Sequence, residues 1–200
     1  MKPTIAIDID DVLADSTESI RLRVNERVGV DLQLEHYRIE GEYWGYYERV
    51  WREHGIIDRV NYDDFEKEMA HDQSHVPLLP GAALAIAELA KRFDIVLITA
   101  RDSSLEAATR HWLKTYVSDE LVDVYFITNH KDSKAKNKGQ LCRDLGASWL
   151  IDDNTEHCRA AIDQGVKAVL FGEYGWQVSI PETVDRCKDW LAVLEHFSEK

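Results

Sequence analysis

Two pairs of aspartates are the residues of this chain best suited to chemistry, because each pair lies at the end of a run of apolar residues. Asp8 and Asp10 end the segment IAIDID, and Asp152 and Asp153 end WLIDD. Ligands of parallel sheets bind at the carboxyl ends of the strands, so the four carboxylates are expected to meet there. Because like charges repel, a cation should lie among them, and Mg2+ prefers carboxylate oxygens, water and substrate phosphate. The sequence therefore predicts a magnesium site.

A hydroxyl, a guanidinium and a lysine-rich segment could complete a phosphate site. Another apolar run ends at Thr99, with Ala100 and Arg101 directly after it, and segment 130–139 (HKDSKAKNKG) precedes a predicted helix. Donors and cations of this kind stabilise a phosphoryl group. Arg101 also has alternative partners in the acids that follow it, Asp102 and Glu106.

The elements that must position these residues alternate between short apolar runs and helical patterns. Strands are predicted at residues 4–9, 94–99, 123–128, 148–151 and 166–171. Helices are predicted at about 84–92, from 103 onwards, at 138–145 and at 155–164, and a C-terminal helix is predicted at about 185–197. Such alternation predicts an α/β fold in which helices flank both faces of a central parallel sheet.

The segment between the first two predicted strands has a different character. Residues 16–79 show helical periodicity, with Ile20, Val24 and Val28 on one face, and no convincing strand. We predict a small helical cap at 16–79, inserted into a core domain formed by 1–15 and 80–200.

Composition excludes several classes of protein. The chain has 200 residues, with 24 basic and 37 acidic side chains and a net charge of −13. This acidic surplus disfavours binding to duplex nucleic acid or to an anionic membrane surface. No apolar run approaches the roughly 18 residues of a membrane-spanning helix, so a cytoplasmic protein is expected. The three cysteines include no CxxC pair and are expected to be reduced, buried thiols.

Four segments in chain order resemble the motifs of one enzyme superfamily. They are DIDDV, ITAR, a lysine before a helix, and LIDDN, spread over residues 5–154. Together they resemble the haloacid dehalogenase (HAD) superfamily of phosphohydrolases. The resemblance implies a Rossmann-like core, a C1-type cap and a magnesium-dependent phosphomonoesterase that forms an aspartyl-phosphate.

The resemblance also implies a role for each matched residue. Asp8 resembles the nucleophile, and Asp10 resembles the general acid that later activates water and whose backbone carbonyl binds the metal. Thr99 resembles the hydroxyl that binds the phosphoryl group. Lys138 resembles the lysine that offsets its charge, because it opens the helix leading to the strand of Asp152. Three other lysines of the same segment are alternatives: Lys131, Lys134 and Lys136.

The last aspartate pair is expected to complete the metal site. We expect Asp153 to bind the metal directly. Asp152 is expected either to bind the metal through a water molecule or to orient the lysine. The reverse order is the alternative.

The cap points to small substrates, because C1-type caps close over the active site. The short chain, the helical cap and IDDN resemble the 5′(3′)-deoxyribonucleotidase-like group, whose caps contact the nucleoside. Four aromatic residues of the cap could stack on a base or could form the core of the cap: Tyr43, Trp44, Tyr46 and Tyr47.

The leading expectation is therefore a phosphatase of nucleoside (deoxy)monophosphates, and the expected partner is a small phosphorylated metabolite. The alternatives are a phosphatase of a sugar phosphate or phosphoglycolate, and a phosphate- or nucleotide-binding protein with little turnover.

Overall fold

A parallel sheet forms the centre of the computed structural model, which describes residues 2–37, 46–117, 122–127 and 136–198. The strands are β1 (Thr4–Ile7), β2 (Asp94–Thr99), β3 (Val122–Phe126), β4 (Ala147–Asp152), β5 (Lys167–Phe171) and β6 (Asp185–Cys187). Their order in the sheet is β3-β2-β1-β4-β5-β6, and every neighbouring pair is parallel. The predicted α/β fold with a central parallel sheet is confirmed.

Helices separate and follow these strands. They are α1 (Ser16–Val28), α2 (Tyr46–Glu53), α3 (Tyr62–His71), α4 (Ala82–Leu89), α5 (Glu106–Tyr116), α6 (Lys138–Asp144), α7 (Thr155–Ile162) and α8 (Trp190–Ser198). The first four lie between β1 and β2, and α4 to α7 match the helices predicted around the sheet. Within the described ranges, no helix combines the length and apolar character needed to cross a bilayer.

The sheet is buried on both faces because its strands are apolar at successive positions. In β1, Ile5 and Ile7 belong to a cluster that includes residues of α4, α5 and α8. Ala6, between them, belongs to a cluster with residues of α6 and α7. Side chains of a strand alternate between its two faces, so a continuous apolar run supplies both clusters.

The C-terminal region departs from the sequence prediction. Residues 185–187 form β6 and pair with β5, and the helix begins only at Trp190. The prediction of a helix from about residue 185 is therefore wrong at its start. A three-residue edge strand with the sequence DRC has no apolar run that would distinguish it from a helix terminus.

Helices α1–α3 and the residues that connect them (16–37 and 46–71, the helical segment) form, together with Trp176, a separate apolar cluster. Its buried members are Val24, Val28, Leu32, Tyr37, Val50, Trp51, Ile56, Val60, Phe65 and Trp176. The chain enters and leaves this helical segment through two stretches that are hydrogen-bonded to each other. The Asp15 amide donates to the Pro77 carbonyl at 2.9 Å, and the Leu79 amide donates to the Leu13 carbonyl at 2.7 Å. The division into a core domain and a cap, with boundaries after residues 15 and 79, stays a prediction.

Candidate active site

A buried lysine joins two buried aspartates at the carboxyl end of the sheet. Lys138 Nζ lies 2.7 Å from Asp8 Oδ2 and 2.8 Å from Asp152 Oδ2. The three side chains are at most 3% exposed. Buried charges persist in proteins when they are paired, and here one ammonium group serves two carboxylates.

The sheet places both aspartates. Asp8 directly follows β1, and its amide donates to the Ile151 carbonyl of β4 at 2.9 Å. Asp152 is the last residue of β4. Because β1 and β4 are adjacent and parallel, their carboxyl ends bring the two side chains to the same edge.

The start of α6 places the lysine. Asn137 and Gln140 form a capping box, in which each side chain accepts a hydrogen bond from the other residue's amide, so the helix begins at Lys138. Gly139 allows α6 to approach α7 closely, since a Cβ at this position would lie 2.0 Å from the Ala160 carbonyl oxygen. Any larger residue at position 139 would displace the helix that carries Lys138.

Of the two predicted lysines that the structure describes, Lys138 contacts the aspartates. Lys136 instead pairs with Asp144 at 2.6 Å and is 59% exposed. Lys131 and Lys134 lie outside the described residues.

Asp10 is held by a two-pronged ion pair with Arg101. Arg101 Nε donates to Asp10 Oδ2 at 2.9 Å, and its Nη2 donates to Oδ1 at 2.7 Å. The Ser16 hydroxyl donates to the same Oδ1 at 2.5 Å. Arg101 Nη1 also donates to Gln73 Oε1 at 2.7 Å and to Thr109 Oγ1 at 3.0 Å. Arg101 therefore contacts Asp10, an acid that sequence proximity did not suggest.

Thr99 and Ala100 complete this side of the site. Thr99 is the last residue of β2 and is fully buried, and its hydroxyl accepts a hydrogen bond from the Arg101 amide at 3.1 Å. Ala100 is half-buried between them. The carboxyl ends of β2, β1 and β4 therefore carry Thr99, Asp8 and Asp152 in adjacent positions.

The two aspartates at the end of β4 have different environments. Asp152 Oδ2 contacts Lys138, and its Oδ1 accepts from the Asn154 amide at 3.0 Å and lies 3.1 Å from His157 Nδ1. Asp153 Oδ2 accepts from the Trp176 indole at 2.8 Å. Asp153 Oδ1 is buried without a hydrogen-bond partner in the described part of the chain.

The environments of Asp8, Asp152 and Asp153 shift their pKa values in different directions. Burial raises the pKa of Asp8 to about 7, although the charge of Lys138 opposes the shift. Burial, followed by the charges of Asp152 and Asp8, raises the pKa of Asp153 well above its ordinary value. Burial also acts to raise the pKa of Asp152, but Lys138 and His157 lower it overall.

The contact with Arg101 lowers the pKa of Asp10 by more than burial raises it. Burial acts to raise the pKa of Asp10, but the charge and hydrogen bonds of Arg101, together with the Ser16 hydroxyl, lower it below its ordinary value. The lowered pKa favours the ionised form of Asp10, whose side chain is 35% exposed.

The donor set fits a hard divalent cation. Ligand atoms of Asp8, Asp152 and His157 lie within 4.8 Å of one another, but Lys138 Nζ already contacts both of these carboxylates, which favours Asp8 and Asp153 as the carboxylates for a cation. Asp153 adds the buried carboxylate oxygen that lacks a partner among the described residues. Carboxylate oxygens suit Mg2+, and a cation would offset both the burial of the Asp153 carboxylate and the charges of Asp152 and Asp8, which together raise its pKa.

Of the four aromatic residues predicted to stack on a base or to form the core of the cap, the structure describes the side chain of Tyr47. Tyr47 packs against Tyr37 and Trp51, with ring centroids 5.9 and 6.2 Å away, and its hydroxyl lies 3.1 Å from Thr17 Oγ1. Tyr43 and Trp44 lie outside the described residues, and of Tyr46 only the backbone, at the start of α2, is described.

The sequence analysis did not identify Asp11, Gln73, His157 and Trp176 as part of this site. Asp11 has a positive φ of 54°, and its carboxylate accepts from the amide and hydroxyl of Thr17 at the start of α1. The position of Asp11 directly after Asp8 and Asp10 in DIDD is the sequence feature that could have predicted its place near the site. Gln73 and Trp176 reach the site from segments with no apolar periodicity that would predict their position.

Solved structures share this fold. A haloacid dehalogenase-like family hydrolase from Streptococcus pneumoniae aligns with a TM-score of 0.64 at 17% identity over 98% of each chain. A predicted phosphoglycolate phosphatase from Haemophilus somnus 129pt aligns with a TM-score of 0.66 at 14% identity, over 98% of this chain and 97% of its own. A D,D-heptose 1,7-bisphosphate phosphatase from B. bronchiseptica, complexed with magnesium and phosphate, aligns with a TM-score of 0.58 at 15% identity over 98% of each chain.

The chain has the fold of haloacid dehalogenase-like hydrolases. No protein-family model matches the sequence, and no curated protein matches it either. The likeness therefore concerns the fold, at sequence identities between 14% and 17%.

Proposed function

We propose that this protein is a magnesium-dependent phosphomonoesterase of the HAD superfamily that hydrolyses small phosphate esters through an aspartyl-phosphate. The observation that carries the proposal is the contact of Lys138 with Asp8 and Asp152 at the carboxyl end of the sheet. Asp10 and Asp153 flank this contact in the sequence, and the fold is that of known HAD-like hydrolases.

In the first step, a carboxylate oxygen of Asp8 attacks phosphorus. The bond from phosphorus to the ester oxygen breaks, and the leaving alkoxide takes a proton from Asp10. Lys138 and the Thr99 hydroxyl stabilise the charge on the phosphoryl oxygens. A magnesium ion held by Asp8, the Asp10 backbone carbonyl and Asp153 would supply further neutralisation of that charge.

In the second step, Asp10 takes a proton from water, whose oxygen attacks phosphorus and releases Asp8. Proton donation in the first step leaves Asp10 ionised, and the contact with Arg101 favours this form, which suits the base of the second step. To act as an acid in the first step, Asp10 needs a weaker pairing with Arg101, and a substrate phosphate that attracts the guanidinium would weaken it.

We propose a sugar phosphate or a similarly small ester as the substrate class. Two aligned structures are named as a phosphoglycolate and a heptose bisphosphate phosphatase. Tyr47 packs on Tyr37 and Trp51 in the apolar cluster of the helical segment, which favours a structural role over stacking on a base. Nucleoside monophosphates remain the second candidate because of the resemblance of IDDN and the helical cap to deoxyribonucleotidases.

The test is phosphate release from sugar phosphates, phosphoglycolate and nucleoside monophosphates, with Mg2+ and with chelator. Asp8→Asn should lower turnover by about a thousandfold or more, because it removes the nucleophile. Asp94→Asn is the matched control, since Asp94 is exposed at the opposite end of β2. Turnover that survives Asp8→Asn, or binding of phosphate esters without turnover by the wild type, would contradict the proposal.

A further inference from the structure

Trp176 joins the candidate metal site to the helical segment. It lies beyond β5 and is 5% exposed, and its indole Nε1 donates to Asp153 Oδ2 at 2.8 Å. The same ring belongs to the apolar cluster built from α1, α2 and α3. One side chain thus contacts a predicted metal ligand on one side and the helical segment on the other.

Neighbouring residues hold the indole ring in place. Tyr174 stacks on it, with centroids 4.5 Å apart and ring planes 4° from parallel. The Tyr174 hydroxyl donates to the Asp11 carbonyl at 2.7 Å, which ties the ring pair to the loop after β1. Gln177 Nε2 donates to the Asp153 carbonyl at 3.0 Å, so the backbone of this aspartate is also held.

The indole restricts the carboxylate of Asp153. With Oδ2 hydrogen-bonded to Trp176, rotation of the carboxylate costs that bond, so Oδ1 keeps one direction. Oδ1 is also the oxygen without a partner among the described residues. A carboxylate that is hydrogen-bonded through one oxygen and presents the other is the usual arrangement of an oriented metal ligand.

We propose that Trp176 is a positioning residue: it orients Oδ1 of Asp153 toward a divalent cation and couples cation binding to the packing of α1–α3. The inference rests on the metal site of the proposed function. If α1–α3 shift relative to the sheet, the indole loses its packing against their cluster, and its bond to Asp153 is held less firmly. Cation binding and a well-packed helical segment therefore favour each other.

Mg2+ affinity, measured by isothermal titration calorimetry, tests the orientation. Trp176→Phe keeps an aromatic ring and removes the N–H donor, and we expect Mg2+ to bind about tenfold more weakly. Trp112→Phe is the matched control, because the buried indole of Trp112 donates to a backbone carbonyl, that of Val76, at 2.7 Å. The control should bind Mg2+ as the wild type does.

Two measurements can be made on the wild type, so their results do not depend on whether the variant folds. In NMR spectra, the indole N–H signal of Trp176 should shift on addition of Mg2+, and that of Trp112 should not. In hydrogen–deuterium exchange, Mg2+ should slow exchange of the amides of α1. In Trp176→Phe that slowing should be lost.

The outcomes separate this inference from the proposed function. Equal Mg2+ affinity of Trp176→Phe and the wild type, or an indole signal that stays still while Mg2+ binds, would overturn the role of Trp176 and leave the phosphatase proposal intact. A wild type that binds no Mg2+ would overturn both.

Discussion

The carboxyl end of the sheet and the helical segment between β1 and β2 are stabilised in opposite ways. At the sheet end, buried charges contact one another: Lys138 joins Asp8 and Asp152, and Arg101 holds Asp10. In the helical segment, aromatic rings pack together, and Trp51 Nε1 donates to the Tyr37 hydroxyl at 2.9 Å.

The difference predicts how each region responds to change. Removing one partner of a buried ion pair costs about 3–5 kcal/mol, because the other charge stays buried and unpaired. Removing one partner of a neutral buried hydrogen bond costs about 1–3 kcal/mol. Substitutions at the sheet end should therefore lower the free energy of unfolding more than substitutions in the helical segment do.

The largest expected effect follows from Lys138→Met. We expect unfolding by urea to show a loss of about 3–5 kcal/mol in the metal-free protein, because Asp8 and Asp152 lose their shared cation. Phosphatase turnover should fall by about 10²–10³-fold, since a cation at the phosphoryl group is removed.

Lys136→Met is the control for Lys138→Met. Lys136 lies two residues earlier and forms an exposed pair with Asp144, so its loss should leave both stability and turnover close to the wild type. If the two variants behaved alike, the contrast between buried and exposed lysines would be wrong.

A smaller effect should follow from metal addition at different pH values. Burial raises the pKa of Asp8 to about 7, so protonated Asp8 contributes stability to the metal-free protein that is fully present below the ordinary pKa and is lost as the pH rises from there through about 7. The cation binds the deprotonated form, so its stabilisation should grow over the same range. Asp10 and Asp152, whose pKa values are lowered, stay ionised throughout.

Thermal unfolding checks this expectation. Mg2+ at 100 times its dissociation constant should stabilise the protein by about 2.7 kcal/mol at pH 8, and the same concentration should raise the melting temperature less at pH 6. Asp153→Asn is the control, and Mg2+ should raise its melting temperature little at either pH. An Mg2+ effect that decreased from pH 6 to pH 8 would contradict the sign derived from Asp8.

The sequence could predict the sheet and the placement of residues at its edge, because both follow from local patterns. Thr99 and Asp152 end strands that are visible as apolar runs, and parallel order brings such ends together. The bond from Trp176 to Asp153 joins residues 23 positions apart, and its partners depend on how separate segments pack. The edge strand β6 was missed for a similar reason, since pairing with β5 rather than its own sequence makes it a strand.

The smallest effect is expected in the helical segment, from Tyr37→Phe. The substitution leaves the buried indole N–H of Trp51 without its acceptor, so stability should fall by about 1–2 kcal/mol, while turnover per folded molecule should stay near the wild type. The double variant with Trp51→Phe removes both partners, and its loss should be less than the sum of the two single losses. Urea unfolding of the four proteins gives this difference. Additive losses would mean that the pair contributes through packing alone, and a large fall in turnover would mean that this cluster is tied to the chemistry as tightly as the sheet end is.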